Sequence, residues 1–275
     1  HLVESAGANL LRYRVEDFIF GGSHYARLAR MSAAGIPVLT IVHGSATAGG
    51  AYMPGMSDFV VMVRDRARAF LAGPPLLKAA TGEMATEEEL GGALMHASVS
   101  GLAEYLAEDD ADAIRALREH LRRLAWHRHE SSLPAATEPR FAADELLSIM
   151  PVDGRKPVDM REIIARLCDD SDFMEFQPTY GPATVCVHAS IGGFAVGILS
   201  NNGPLDPAGS SKATHFIQQC CQSGLPLIYL QNTTGYIVGK ESERAGMIKH
   251  GSKMIQAVAN ATVPQVTIQC GASYG

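Results

Sequence analysis

The sequence is short of the features that mark several large protein classes. Its five cysteines (Cys168, Cys186, Cys220, Cys221, Cys270) contain no C-x-x-C pair, and adjacent Cys220 and Cys221 would diverge on a helix. Reduced, buried thiols are therefore expected, in a cytoplasmic (bacterial) or mitochondrial-matrix setting, and no metal site is indicated. No apolar run approaches the roughly 20 residues that cross a bilayer, and no signal peptide opens the chain, so no membrane partner is expected. Basic charge is also scarce: 23 Lys and Arg against 29 Asp and Glu leave a net charge of −6. That balance excludes an extended nucleic-acid surface, because phosphate binding needs clustered cations. Any anionic ligand must be met locally. Finally, neither a Ser-His-Asp set nor a pair of catalytic carboxylates stands out, which turns attention from side chains to backbone.

What is present is a fold-sized chain with a pattern used twice. The 275 residues, 47% of them hydrophobic, suit one large or two ordinary domains. From Ile36 to Tyr52 an apolar β-branched run breaks into Gly44-Ser-Ala-Thr-Ala-Gly-Gly-Ala51, which reads as a buried strand leaving through a tight turn into a helix near Ala51 to Met53. N–H groups at such a corner point forward and bind oxyanions. The stretch Val263 to Ser273 repeats Ile36 to Ala46 at Pro, Thr, Ile and Gly, with a shift of 227 at both Pro37/Pro264 and Gly44/Gly271. A looser echo relates Leu2 to Gly7 with Leu230 to Gly235, shifted by 228. An isolated Gly-Gly reads first as an ordinary strand-to-helix turn; duplication of strand and corner together favours a built anion site. The second pair of corner glycines would fall at 276 and 277, beyond Gly275, and His1 is no initiator, so further sequence is expected at both ends.

Around these corners, strand and helix patterns alternate as in layered α/β folds. Helical spacing covers Val15 to Ser32 through Phe18, Tyr25, Leu28 and Met31, and Asp58 to Val63 reads as a buried strand. Phe70 to Lys78, with its Pro-Pro pair, reads as a loop, and Thr86 with Glu89 three residues on is a capping box. Glu108 to His127 carries one apolar stripe, with acids leading and bases trailing, so it closes a first domain. Glu130 to Pro139 is a linker, with the boundary near residue 133, giving domains 1–133 and 134–275. The second half reads as a helix around Asp159 to Cys168, strands at Ala183 to His188 and Phe194 to Leu199, and a helix capped by Ser210-Ser211. A strand Leu227 to Leu230, a polar loop Gln231 to Gly235, a helix ending near Ala261 and the repeated strand from Pro264 follow.

The strings SNNGPLDPAGSSKATHFIQQCCQSGLPLIYLQNTTGYIVGK and AGMIKHGSKMIQAVANATVPQVTIQCGASYG, with HGSATAGGAYMPGMSDFVV in the first half, resemble the carboxyltransferase (β) subunits of biotin-dependent acyl-CoA carboxylases. The likeness runs from His1 to Gly275. Through Gln231-Asn-Thr-Thr-Gly235 and Gly271-Ala-Ser-Tyr-Gly275 it is most similar to the methylcrotonyl-CoA and geranyl-CoA carboxylase β subunits. The resemblance implies an α/β fold of two crotonase-like β-β-α superhelical domains, both incomplete here. It also implies a homo-oligomeric β core, and biotin arriving on a separate α subunit that combines biotin carboxylase and carrier and uses ATP and bicarbonate. The implied reaction moves CO2 from carboxybiotin to an acyl-CoA enolate. Its negative thioester oxygen would be held by the amides of Gly49, Gly50 and Ala51. Asn232, Thr233, Thr234, Gly235, Gly271 and Ala272 would lie on the biotin side. Lys212 and Lys253 are weaker candidates for CoA phosphates or the carrier, as are Arg68, Lys78, Lys240 and Lys249, since exposed lysines mostly solvate a helix face. Alternatives are a propionyl- or acetyl-CoA carboxylase β subunit, a biotin-dependent decarboxylase subunit and a non-catalytic CoA-binding scaffold. A crotonase-fold hydratase or isomerase would need acid-base carboxylates, and Glu83 and Glu87 to Glu89 read instead as cap and helix residues.

Overall fold

The computed structural model describes the chain except residues 8, 10, 11, 13, 125–134, 154, 155, 234, 274 and 275, and the side chains of 15 and 17–22. Cα proximity divides it into two units, His1–Leu121 and Arg122–Gly275. The boundary expected near residue 133 lies outside the described residues.

The first unit holds β1 (Leu2–Ser5), β2 (Leu39–Thr47), β3 (Phe59–Val63), β4 (Arg68–Phe70) and β5 (Tyr105–Ala107). They form a parallel sheet in the order β1-β2-β3-β5, and β4 also pairs with β2. Parallel strands covered on both faces need no polar alternation, and Phe-Val-Val-Met-Val in β3 is buried at every residue. The helix Val15–Ala33 makes the crossover from β1 to β2 that a parallel pair requires. The expected capping box is present: Glu89 N–H bonds Thr86 Oγ1, and the Glu89 carboxylate accepts from Thr86 N–H.

Three stretches of this unit differ from expectation. Pro74-Pro75 does not stiffen a loop but opens the helix Pro74–Thr81. Proline suits a first helical turn because its φ is preset and the missing N–H has no partner there anyway. Gly82, with φ 79°, ends that helix in the left-handed region. β4 and β5 have three residues each, too short to leave a periodic trace.

The second unit holds β6 (Phe173–Glu175), β7 (Thr184–Ile191), β8 (Phe194–Asn201), β9 (Leu227–Thr233) and β10 (Gln265–Ser273), in the order β10-β9-β8-β7-β6. β7 and β8 form a hairpin closed by Gly192 and Gly193, with φ 60° and 80°. Positive φ at both loop positions matches the twist of the strands. The two glycine amides bond the Asp169 carboxylate at 2.9 and 2.6 Å. Met160, Ile163 and Ile164 of the helix Met160–Ala165 pack with Val185, Val187, Val196, Ile198 and Leu230 as the core. The helix Pro207–Ser223 is capped by Asp206, whose carboxylate accepts from Gly209 N–H, and not by Ser210-Ser211 as expected; both serines lie inside it. Pro207 at the first helical position displaces the start upstream. The polar residues after Leu230 likewise continue β9 to Thr233 rather than forming a loop.

Candidate active site

β1 and β2 pair in register at Leu2↔Ile41 and Val3↔Val42, then the register slips to Ser5↔Ala46. One residue, Glu4, thus faces three, His43, Gly44 and Ser45, at a break in the ladder larger than a simple bulge. β2 bends there, passing from its pairing with β3, which ends at Val42, to its pairing with β4, which begins at Ser45. A Cβ on Gly44 would lie 2.7 Å from the Glu4 carboxylate, so a larger residue there would have to displace that exposed side chain. The ladder ends at Thr47↔Phe70, and Ala48–Ala51 forms a single 3₁₀ turn leading into the short helix Tyr52–Gly55. The helix expected at Ala51 to Met53 is thereby reached through one tighter turn. In such a turn the N–H of Gly49 precedes any i−3 carbonyl that could accept it, so it belongs neither to ladder nor to turn, whereas Gly50 is the first residue with an i−3 carbonyl, that of Thr47. Gly49 is exposed, Gly50 and Ala51 half-buried. Tyr25 donates its hydroxyl to the Gly49 carbonyl at 2.7 Å. Tyr52, exposed at the helix start, meets the Tyr25 ring edge-on at 6.2 Å.

The second unit repeats the device. β9 and β10 keep register to Gln231↔Gln269 and then slip to Thr233↔Ser273. These pairs sit 228 and 227 residues after Val3↔Val42 and Ser5↔Ala46, the shifts of the sequence echo. Asn232 takes the place of Glu4 against Cys270, Gly271 and Ala272, and a Cβ on Gly271 would lie 2.4 Å from its Oδ1. That oxygen accepts from Ala272 N–H at 3.1 Å. Thr233 Oγ1 accepts from Gly235 N–H at 3.1 Å, and Gly235 sits at φ 103°, as Gly7 does at 78° in the first unit. The structure therefore brings Asn232, Thr233, Gly235, Gly271 and Ala272 together at one strand break. Thr234 lies outside the described residues.

The lysines separate. Lys253 is exposed on the helix Met247–Ala259 and lines a groove of about 380 Å³ with Thr214, Gln218 and Cys221. Lys212 is fully buried on the helix Pro207–Ser223, so it offers no charge to CoA or a carrier. Among the described residues its Nζ has no hydrogen-bond partner, and it stands 3.9 Å from Glu175, whose oxygens already accept from Arg161 at 2.6 and 2.8 Å. Burial pulls the Lys212 ammonium pKa down, against the partial support of neighbouring negative charge. The helical period that a surface reading used also fits an inward position. Arg68 is paired with Glu87 at 3.1 Å. All five cysteines are free thiols, three of them buried.

A model of the carboxyl transferase domain matches residues 1–275. The chain belongs to the carboxyl transferase family. Over 275 residues it is 53% identical to a probable biotin-dependent acyl-coenzyme A carboxylase beta2 subunit of Mycobacterium tuberculosis, covering all of this chain and 52% of that protein. It is 45% identical over 280 residues to the mitochondrial methylcrotonoyl-CoA carboxylase beta chain of Dictyostelium discoideum, covering 47% of that protein. Among solved structures, transcarboxylase 12S, described as a hexamer assembly with methylmalonyl-coenzyme A bound, aligns with a TM-score of 0.85 at 31% identity, over 97% of this chain and 53% of that one. The β subunit of Pseudomonas aeruginosa geranyl-CoA carboxylase is 54% identical with a TM-score of 0.51, over 100% of this chain and 52% of its own. The chain thus spans about half the length of the carboxyl transferases it matches. Its fold is the mixed α/β, crotonase-like fold of that family, as the resemblance implied.

Proposed function

We propose that this chain is part of the carboxyltransferase subunit of a biotin-dependent acyl-CoA carboxylase acting on a 3-methyl-2-enoyl-CoA, of the methylcrotonyl or geranyl type. The observation that carries this is the strand break of β1 and β2, which delivers Gly49 and Gly50 at the head of a 3₁₀ turn, with the Gly49 amide left over by both ladder and turn. Removing a γ-proton from a 3-methyl-2-enoyl thioester sends charge to the thioester oxygen. An oxygen seated against the N–H groups of Gly49 and Gly50 would be stabilised as that charge grows, by roughly 3–4 kcal/mol per donor, while Ala51, expected as a third donor, has its N–H inside the turn. Because the donors are fixed by the backbone, they need no reorganisation during the reaction.

Biotin, brought by a partner α subunit that consumes ATP and bicarbonate, would supply the carboxyl group. The residues expected on its side fit a shaping role better than a direct one. The amides of Ala272 and Gly235 are already bonded by Asn232 and Thr233, so they hold the second corner together and are not donors to a ureido oxygen. The reading further implies a homo-oligomeric β core and a bacterial cytoplasmic or mitochondrial-matrix location.

The test uses the full-length β subunit with its biotinylated partner, ATP and labelled bicarbonate. Labelled acid should appear from 3-methylcrotonyl-CoA or geranyl-CoA in preference to acetyl- and propionyl-CoA. No labelled product from any acyl-CoA in the panel would refute the proposal.

A further inference from the structure

The Gly49 carbonyl and the Gly50 N–H are opposite ends of a single planar peptide. Fixing one end therefore aims the other. The Gly49 carbonyl accepts from the Tyr52 N–H, which closes the turn, and from Tyr25, on the helix Val15–Ala33, whose hydroxyl donates to it at 2.7 Å. The Tyr25 ring is edge-on to Tyr52 at 6.2 Å and to His24 at 6.1 Å, two contacts that help to orient the phenol. A Cβ on Gly49 would lie 2.7 Å from the Tyr25 oxygen, so glycine at 49 is what lets the hydroxyl reach the peptide. A carbonyl that accepts a hydrogen bond also polarises its peptide and strengthens the N–H at the far end as a donor.

We infer that Tyr25 is a positioning residue for the oxyanion site: through the Gly49 carbonyl it orients and polarises the Gly50 N–H. The inference rests on the function proposed above. It assigns Tyr25 no contact with substrate and no proton transfer. Its effect must therefore appear where the thioester oxygen is charged and vanish where that oxygen is neutral or absent.

The test is Tyr25→Phe in the full-length β subunit assembled with its biotin-carrying partner, since phenylalanine keeps the ring contacts and deletes the donor. Loss of one polarising hydrogen bond should lower kcat roughly three- to tenfold with KM for acyl-CoA little changed. A CoA analogue carrying a nitronate, whose oxygen is anionic in the ground state, should bind more weakly by the same factor, and an uncharged thioether analogue should bind as to wild type. Equal loss of both analogues would mark a merely structural role and overturn the inference, as would unchanged kcat and nitronate binding. If wild type carboxylates acyl-CoA and Tyr25→Phe is indifferent, only this inference falls. If wild type carboxylates no acyl-CoA, the proposed function falls and the role of Tyr25 with it.

Discussion

The Gly50 amide is open to a direct test, provided the space around it is dealt with first. A Cβ at position 50 would lie 1.9 Å from Ser5 Oγ and 3.1 Å from Ser5 Cβ. Rotating the hydroxyl away relieves the first contact, and the second still asks the corner to shift by a few tenths of an ångström. Any substitution of Gly50 alone therefore mixes a steric effect with an electronic one. In a Ser5→Gly background both obstacles are gone, and alanine and proline at 50 can be compared. Alanine keeps the N–H. Proline removes it while holding φ near −65°, compatible with a 3₁₀ turn, and Gly49 lacks the Cβ that clashes with a following proline. Steady-state carboxylation should show Ser5→Gly/Gly50→Ala within a few-fold of Ser5→Gly, and Ser5→Gly/Gly50→Pro lower in kcat by about 10²–10³-fold, or roughly 2.7–4 kcal/mol. Circular dichroism and melting temperature establish whether the variants fold alike. A folded proline variant with full turnover would show that the Gly50 N–H holds no developing charge.

Two further outcomes follow from buried titratable groups in the second unit. Desolvation, then the Arg123 charge, pushes buried His188 down to about 3. The unfolded chain, with histidine near 6.5, binds a proton that the native state refuses. Stability should therefore fall as pH drops below about 6.5, and His188→Gln should flatten the pH 6.5–5 slope of denaturant unfolding; an unchanged slope would refute this. Lys212 has its pKa lowered mainly by burial, so stability linked to it should rise with pH towards its ordinary value of 10.5. Because Arg161 already satisfies Glu175, Lys212→Met should be neutral or stabilising by about 1–2 kcal/mol at pH 7. A loss of more than about 3 kcal/mol, the cost of breaking a needed buried pair, would show that Lys212 and Glu175 act as a true ion pair.

Much of the candidate site was legible because it is made of backbone. Glycine spacing and a constant residue shift are properties of a linear string, and they marked the first corner and matched the break between β1 and β2 to the one between β9 and β10. The capping box was equally readable, since Thr86 and Glu89 satisfy each other within one turn. What escaped has a common cause. β4, β5 and β6 are three-residue strands whose pairing is decided by distant partners. The helix at Pro74-Pro75 was missed because a proline pair marks a loop and a helix start alike. Tyr25 left only an apolar-face signal at helical spacing, and nothing local tells that its hydroxyl ends on the Gly49 carbonyl.

From its letters alone, this chain settles that it is a duplicated strand-and-corner protein of the carboxyl transferase kind, because the Pro, Thr, Ile and Gly positions of one strand and corner recur at a constant shift in the string. Only the tertiary structure decides which side chains stand where the glycines would carry a Cβ, Glu4, Ser5 and Tyr25 in one unit and Asn232 in the other. It likewise sends Lys212 inward while leaving Lys253 in water. Local periodicity can say that a helix has two faces, but which face is covered depends on what folds against it.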